Sequence, residues 1–238
     1  MNNNKICVFD FETDGSDPTC CSPVQLAAVM VDSVKLEVIK GSEFNINLKP
    51  EKLASVTKAT VDDNPYLDSD ILEWHAKVKG VDKSDILNSW LDYPDQKHSW
   101  NQFINYLDGY HLVSAKGKKT KFTAPIASGY NINRFDMKII DRLCKKYDSY
   151  DNKENSNTIF HPRDQIDIMN IVYLWFKYIP SIKSISLDSI RSYMGIDATN
   201  AHDALKDVND CAQILIRFLK LHQNFAQKIQ FKDAFAKQ

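Results

Sequence analysis

The sequence predicts an α/β fold in which a mixed sheet is flanked by helices. Three observations carry this prediction: strand patterns dominate the first fifty residues, a short strand-helix unit follows Ala124, and helical periodicity fills most of the remainder. Two polar loops, 116–121 and 149–157, are too short to link separate domains. We therefore expect a single domain over 1–238, with a core at about 5–221 and a short helical C-terminal tail.

The first predicted strand, Ile6 to Glu12, is an apolar run that contains two carboxylates. Asp10 and Glu12 point to the same face because strand side chains alternate. Two neighbouring acids at the end of a buried strand repel each other and lose hydration, and a divalent cation relieves both effects. Taken alone, this segment is equally compatible with both acids lying in solvent beyond the strand.

The next elements follow from hydrophobic patterning. Val24 to Val31 is a second buried run, and Phe44 to Leu48 alternates apolar and polar residues, so both segments are predicted strands. Residues 52–110 show helical spacing of apolar side chains. Ala124 to Gly129 is a further short strand, and from Asn131 onward the pattern is helical almost throughout.

The helix predicted over 131–147 carries an acid on its apolar face. On a helical wheel Asp136 falls in the middle of the stripe formed by Ile139, Ile140, Leu143 and Tyr147. A lone acid on a buried stripe is unusual. The alternative is that Asp136 lies in the first turn and favours the positive end of the helix, which does not explain its inward direction.

The last long helix, predicted from about Asp203 to Leu221, repeats this feature. Asp207 lies at the edge of its inner face, Asp210 is expected to point further outward, and Asp203 is the expected N-cap. His202 precedes the helix, and a surface or capping imidazole is the alternative for it. The inner face consists of Ala204, Val208, Cys211, Leu215 and Phe218.

Four inward carboxylates on three separate elements, together with one histidine at a helix start, predict a metal site. Carboxylates suit Mg²⁺ or Mn²⁺ better than zinc. A pair of such cations is a known device for in-line attack at phosphorus, and a histidine with a pKa of roughly 6.5 suits the proton acceptor. Asp14, Asp17, Asp164, Asp167 and Asp210 are left out of this set, and Asp167 is the expected cap of the helix that follows it.

Composition and charge limit the function classes. The formal net charge is -1, which argues against a strongly charge-driven, non-specific nucleic-acid binder but not against a local basic groove. Five cysteines without CxxC spacing predict free thiols. The N-terminal segment 1–5 is short and polar, so we expect no signal peptide. No apolar run is long enough for a membrane span, so we expect a cytoplasmic protein.

Three segments resemble the motifs of the histidine-type DEDD 3′–5′ exonucleases. FDFETDG contains Asp10 and Glu12, GYNINRFD contains Asp136, and AHDALKDV contains His202 and Asp207, in the order found in that family. GYNINRFD, NAHDALKDV and PVQLAAV look most like the exonuclease domain of bacterial exonuclease I. The resemblance covers roughly residues 5–221.

This resemblance implies a ribonuclease-H-like fold and the release of 5′-mononucleotides from the 3′ end of single-stranded DNA. It implies that Asp10, Glu12, Asp136 and Asp207 bind two Mg²⁺ or Mn²⁺ ions, and that His202 is the general base. Thr57 occupies the place of a segment that wedges near the terminal bases, although Lys58-Ala59 replaces the usual Gly-Ile after it. The implied substrate contacts are Thr13, Thr57, Asn131 and Arg134.

Two other functions remain open at the level of sequence. A 3′–5′ exoribonuclease uses the same four acids, and the contact to the 2′-hydroxyl cannot be located from sequence. A catalytically inactive nucleic-acid-binding module is the third possibility, against which the intact set of four acids and His202 argues. The sequence indicates no oligomeric state.

Overall fold

A six-stranded mixed sheet forms the centre of the molecule, in a computed structural model that describes residues 4–56, 69–113, 117–197 and 203–228. The strands are β1 (Ile6–Thr13), β2 (Pro23–Asp32), β3 (Glu37–Val38), β4 (Phe44–Asn47), β5 (Ile126–Gly129), β6 (Tyr150–Asp151), β7 (Ser156–Asn157) and β8 (Gln165–Asp167). The helices are α1 (Asp70–Lys79), α2 (Lys83–Asp92), α3 (Gln96–Gly109), α4 (Asp136–Lys146), α5 (Ile168–Phe176), α6 (Leu187–Met194) and α7 (Ala204–Lys228).

The sheet has the order β3–β2–β1–β5–β8, and β4 also pairs with β2. Strands β1, β2, β3 and β4 pair antiparallel, whereas β1, β5 and β8 run parallel to one another. The carboxyl ends of β1, β5 and β8 therefore lie at the same edge of the sheet, where ligand sites of such sheets occur. The predicted α/β mixed sheet flanked by helices is confirmed.

Each face of the sheet is covered by a separate apolar core. Phe9 and its neighbours on one face pack against the helices α3 and α4, with Phe103, Ile139 and Ile140 fully buried. The other face, with Val8, packs against α5, α6 and α7. The strand β1 is thus buried on both sides, because its apolar residues occupy both alternating sets of positions.

The C-terminal half contains more strand than its helical pattern predicted. β8 forms an edge of the sheet beside β5, and β6 and β7 form a small hairpin. The strands β6 and β7 have two residues each and β8 has three, which is too short for a periodic signal. Among the described residues, no helix has both the length and the apolar character needed to cross a bilayer.

Candidate active site

Three carboxylates from two elements converge at the end of β1. Carboxylate oxygens of Asp10 and Glu12, on the strand, and of Asp207, on α7, all lie within 4.8 Å of one another. Strand alternation places Asp10 and Glu12 on the face that α7 covers, since Val8 on that face packs with Val208 of α7. We call Asp10, Glu12 and Asp207 the acid cluster.

Asp136 approaches the same strand from the first turn of α4. Only 2% of its surface is exposed, and its Oδ1 accepts a hydrogen bond of 3.2 Å from the backbone N–H of Phe11. The paired register of β1 with β5 ends at Val8, and Asp136 satisfies this donor beyond that point. Asp136 therefore lies in the first turn of α4 and also points toward the interior, so both of the positions that the sequence suggested for it are correct.

Burial and neighbouring negative charges raise the pKa values of acids in this site. Burial raises the pKa of Asp10 well above its usual range, and the negative charges of Asp136, Glu12 and Asp207 raise it further. Burial likewise raises the pKa of Asp136 from 3.8 to about 7, against the N–H of Phe11, which lowers it. Without a cation, the folded protein therefore resists holding all these groups in their charged forms.

Glu12 shows the same behaviour with one compensating charge. Burial, followed by the negative charge of Asp207, raises the pKa of Glu12 from 4.5 to about 7. The positive charge of Lys79, the last residue of α1, lowers this pKa. Lys79 is far from any acid motif in sequence, so no local pattern pointed to it.

The donor set fits a hard divalent cation. All the candidate ligand atoms are carboxylate oxygens, and three of them already lie close enough together to share one ion. Their mutual repulsion and lost hydration are both offset when a cation binds, which is the physical reason to keep such a group buried. An acidic group suited to metal binding is thus present, whereas the number and kind of ions remain predictions.

A buried arginine, which the sequence reasoning missed, contacts the acid cluster. Arg191 on α6 is 1% exposed, and its Nη2 donates to Oδ1 of Asp207 at 2.5 Å. Its Nε donates to Asp210 at 2.8 Å, and Asp210 is itself 1% exposed. The prediction that Asp210 points outward is therefore wrong, because the arginine gives this carboxylate a partner inside the helix interface.

The expectations for the inner face and the cap of α7 are confirmed, whereas the helix continues to Lys228, beyond its predicted end near Leu221. Ala204, Val208, Cys211, Leu215 and Phe218 are all buried, and the side chain of Asp207 is 13% exposed at the edge of this face. Asp203 accepts hydrogen bonds of 3.1 Å from the backbone N–H groups of Leu205 and Lys206, so it caps the helix.

The end of β1 is held by a histidine from a different layer. His75 on α1 is 4% exposed, and its Nε2 lies 2.9 Å from the carbonyl oxygen of Thr13. Burial lowers the pKa of His75, so its neutral form donates this hydrogen bond. The hydroxyl of Thr13 donates to the carbonyl of Gly15 at 2.6 Å. Thr13 directly follows Glu12 in β1, and its predicted role in substrate binding is untested.

The loop that follows β5 is fixed in position by close contacts with β1 and β8. A Cβ on Gly129 would lie 2.6 Å from the carbonyl oxygen of Phe9, so only glycine allows this approach. Asp167, 7% exposed, accepts hydrogen bonds from the backbone N–H groups of Asn131 at 3.0 Å, Asn133 at 3.2 Å and Met169 at 3.0 Å. Asp167 caps α5, as predicted, and also fixes the loop that leads to Asp136.

Two predicted substrate-binding residues line one open cleft on this loop. Asn131, with a positive φ of 61°, and the exposed Arg134 border a cleft of about 540 Å³. Tyr173 of α5, 49% exposed, forms part of its far side. The structure thus groups Asn131 with Arg134, and leaves their role in binding as a prediction.

The structure brings together four of the five predicted catalytic residues: Asp10, Glu12, Asp136 and Asp207. His202, the fifth, and Thr57, a predicted substrate contact, lie outside the described residues. Their predicted roles are therefore untested.

Comparison with known proteins relates the fold to one group of enzymes. Exonuclease I, in a structure that addresses its processivity, matches with a TM-score of 0.61 and 18% identity over 93% of this chain and 44% of its own. E. coli exonuclease I in complex with a dT13 oligonucleotide matches with a TM-score of 0.63 and 17% identity, covering 94% of this chain and 43% of its own. A moderately thermophilic exonuclease I from Methylocaldum szegediense has a TM-score of 0.57 and 18% identity, covering 90% of this chain and 40% of its own.

These similarities establish the fold alone, because identities below one fifth carry no conclusion about activity. The chain spans less than half the length of these structures. No protein-family model matches the chain, and no curated protein sequence matches it. The ribonuclease-H-like architecture expected from the motifs is confirmed, and membership of the DEDD family remains a prediction.

Proposed function

We propose that this protein is a metal-dependent 3′–5′ exonuclease that hydrolyses single-stranded DNA to 5′-mononucleotides. The observation that carries the proposal is the acid cluster, whose carboxylates lie within 4.8 Å of one another at the end of a buried strand. The fold similarity to exonuclease I, which includes a complex with an oligonucleotide, supports the choice of substrate.

The acids of this chain would hold two Mg²⁺ or Mn²⁺ ions. Asp10, Glu12 and Asp207 supply one group of oxygens, and Asp136 supplies a further carboxylate from the first turn of α4, beside the backbone N–H of Phe11. When bound, such ions promote attack of water on phosphorus and stabilise the leaving oxygen. When they are ionised, the acids give the site a negative charge that attracts cations rather than neutral ligands.

Other residues of this chain bind and orient the strand and move a proton. In this proposal Arg134 and Asn131 contact the phosphate backbone of a strand that enters along the cleft they line. His202, five residues before Asp207, accepts the proton of the attacking water in this proposal. An imidazole is suited to that step because its ordinary pKa of roughly 6.5 lies near neutral pH.

The test is a time course on 5′-labelled single-stranded DNA and RNA of the same sequence, with Mg²⁺ and with chelator. We expect a metal-dependent ladder that shortens from the 3′ end, faster on DNA. Asp10→Ala should abolish cleavage, and Asp17→Ala, which removes an exposed acid of the adjacent loop, should leave it unchanged. Faster loss of RNA would assign the protein to the exoribonucleases, and no cleavage of either strand would contradict an enzymatic role.

A further inference from the structure

Arg191 stands out because its guanidinium is buried and yet fully engaged by acids. Each nitrogen donates to a different carboxylate: Nε to Asp210 at 2.8 Å, Nη1 to Asp188 at 2.9 Å and Nη2 to Asp207 at 2.5 Å. The side chain of Arg191 is 1% exposed. A planar fork of donors with three fixed partners permits a single orientation of the guanidinium.

Two of these carboxylates anchor Arg191 and do not belong to the acid cluster. Asp188 lies one helical turn away on α6 itself, and Asp210 lies on α7. Asp210 is in turn held by Lys206, whose Nζ lies 2.6 Å from its Oδ2. Asp210 therefore has cationic partners on two sides, which keeps the buried charge compensated.

The third carboxylate, Asp207, is the member of the acid cluster that Arg191 contacts. It projects from the edge of the inner face of α7 toward Asp10 and Glu12, whose charges repel it. Its side chain is 13% exposed, so rotation away from the cluster would relieve the repulsion. The bond from Nη2 of Arg191 to Oδ1 opposes this rotation and is compatible with a metal bond through Oδ2.

We propose that Arg191 is a positioning residue that holds the Asp207 carboxylate in its metal-binding orientation. The inference rests on the metal-binding part of the proposed function. It follows that the site is assembled before the cation arrives, because the charge of Arg191 partly balances the acids in the metal-free protein. Asp210 affects the Asp207 carboxylate indirectly, because it fixes the orientation of Arg191.

A purely structural role for Arg191, as a tie between α6 and α7, makes a different prediction. Arg217 provides the comparison, since it also joins these helices, through a hydrogen bond of 3.0 Å from its Nη1 to the carbonyl of Met194. Arg217 is exposed and is bonded to no acid of the cluster among the described residues. Loss of a helix tie alone would therefore lower stability in both variants, by different amounts, without a specific loss of metal affinity in either.

The experiment is calorimetric titration of the full-length protein with Mn²⁺, in the absence of nucleic acid. Arg191→Lys keeps the positive charge but loses the three-way fork, so any change reports geometry rather than charge. We expect its Mn²⁺ dissociation constant to rise about tenfold, as typical for loss of a group that orients a metal ligand. Arg217→Lys should leave the constant unchanged.

A second variant guards against a folding defect in Arg191→Lys. Asp210→Asn keeps the shape of the side chain and weakens the anchor of Arg191, so it should raise the dissociation constant in the same direction by a smaller factor. Unchanged Mn²⁺ affinity in a folded Arg191→Lys would overturn the inference. If Arg191→Lys does not fold, unchanged affinity in Asp210→Asn would do so instead.

The outcomes also separate this inference from the proposed activity. Weaker Mn²⁺ binding by Arg191→Lys in a protein that cleaves no nucleic acid would support the inference while the nuclease proposal fails. Where cleavage is observed, kcat should fall in Arg191→Lys at a fixed, limiting Mn²⁺ concentration while KM for the oligonucleotide changes little. Equal weakening by Arg217→Lys, or no Mn²⁺ binding by the unaltered protein, would contradict the positioning role.

Discussion

Replacing Glu12 by glutamine should stabilise the metal-free protein. Glu12 is largely buried and lies next to Asp207. Burial and the negative charge of Asp207 raise the pKa of Glu12 from 4.5 to about 7. The charged form is thus less favourable in the folded state than in the unfolded state. Glutamine has nearly the same shape and cannot ionise, so it removes this unfavourable contribution.

The size of the effect follows from the pKa. A rise from 4.5 to about 7, at 1.36 kcal/mol per pKa unit, corresponds to roughly 3 kcal/mol. The unaltered protein loses this amount of folding free energy as pH rises from the pKa of Glu12 in the unfolded chain to its pKa in the folded protein. In that interval only the unfolded chain releases the Glu12 proton. Glu12→Gln should therefore gain up to roughly 3 kcal/mol over the unaltered protein at about pH 8, and almost nothing at about pH 4.

Chemical denaturation in chelator measures this gain at both pH values. In a chain of 238 residues, about 3 kcal/mol also corresponds to a rise in Tm of roughly 6–12 °C. Glu37→Gln on the exposed strand β3 is the matched control and should change stability by less than about 0.5 kcal/mol. With saturating Mn²⁺ the order should reverse, because the cation stabilises the unaltered protein by mass action and the variant much less.

The reasoning would be refuted by a Glu12→Gln protein that, in chelator at the higher pH, is no more stable than the unaltered one. It would equally be refuted by a gain that does not depend on pH. Either result would mean that Glu12 is well hydrated or paired with a cation of the protein, and that the end of β1 carries no electrostatic strain for a metal to relieve.

Three further substitutions test other parts of the site. Asp10→Asn should abolish Mn²⁺ binding measured by calorimetry, because the Asp10 carboxylate lies within 4.8 Å of those of Glu12 and Asp207; retained binding would place the metal elsewhere. Gly129→Ala should lower the unfolding free energy by about 1–3 kcal/mol, because the new methyl group would collide with the carbonyl oxygen of Phe9. Denaturation curves identical to those of the unaltered protein would show that the loop can move away. Asp167→Ala removes the acceptor of three backbone N–H groups and should cost roughly 2 kcal/mol or more in the same assay, with Asp164→Ala, an exposed neighbour, as control.

The sequence was sufficient to predict the elements with strong periodicity and the acids they carry. Asp10 and Glu12 interrupt a run of apolar residues, and Asp136 interrupts a helical stripe, so their inward direction could be inferred from side-chain geometry alone. The structure adds that Asp136 reaches the backbone of Phe11, a contact across 125 positions of the chain that no local pattern encodes.

The errors have a common physical origin in long-range pairing. Asp210 was expected to point outward because its partner, Arg191, lies on another helix, 19 positions earlier. Arg191 itself lies in a short helix, where an arginine is usually exposed to solvent. Its burial becomes favourable only through the carboxylates of α7. The edge strand β8 was missed because three residues carry no period, and its pairing with β5 determines it.

The most direct test of the central claim is the location of Mn²⁺ by anomalous diffraction from crystals grown with a short single-stranded oligonucleotide. The account predicts anomalous peaks within bonding distance of Asp10, with Glu12, Asp136 and Asp207 as further ligands and the 3′ end of the strand beside them. A protein that binds the strand without Mn²⁺ at Asp10, or that shows Mn²⁺ only at exposed acids elsewhere, would contradict it.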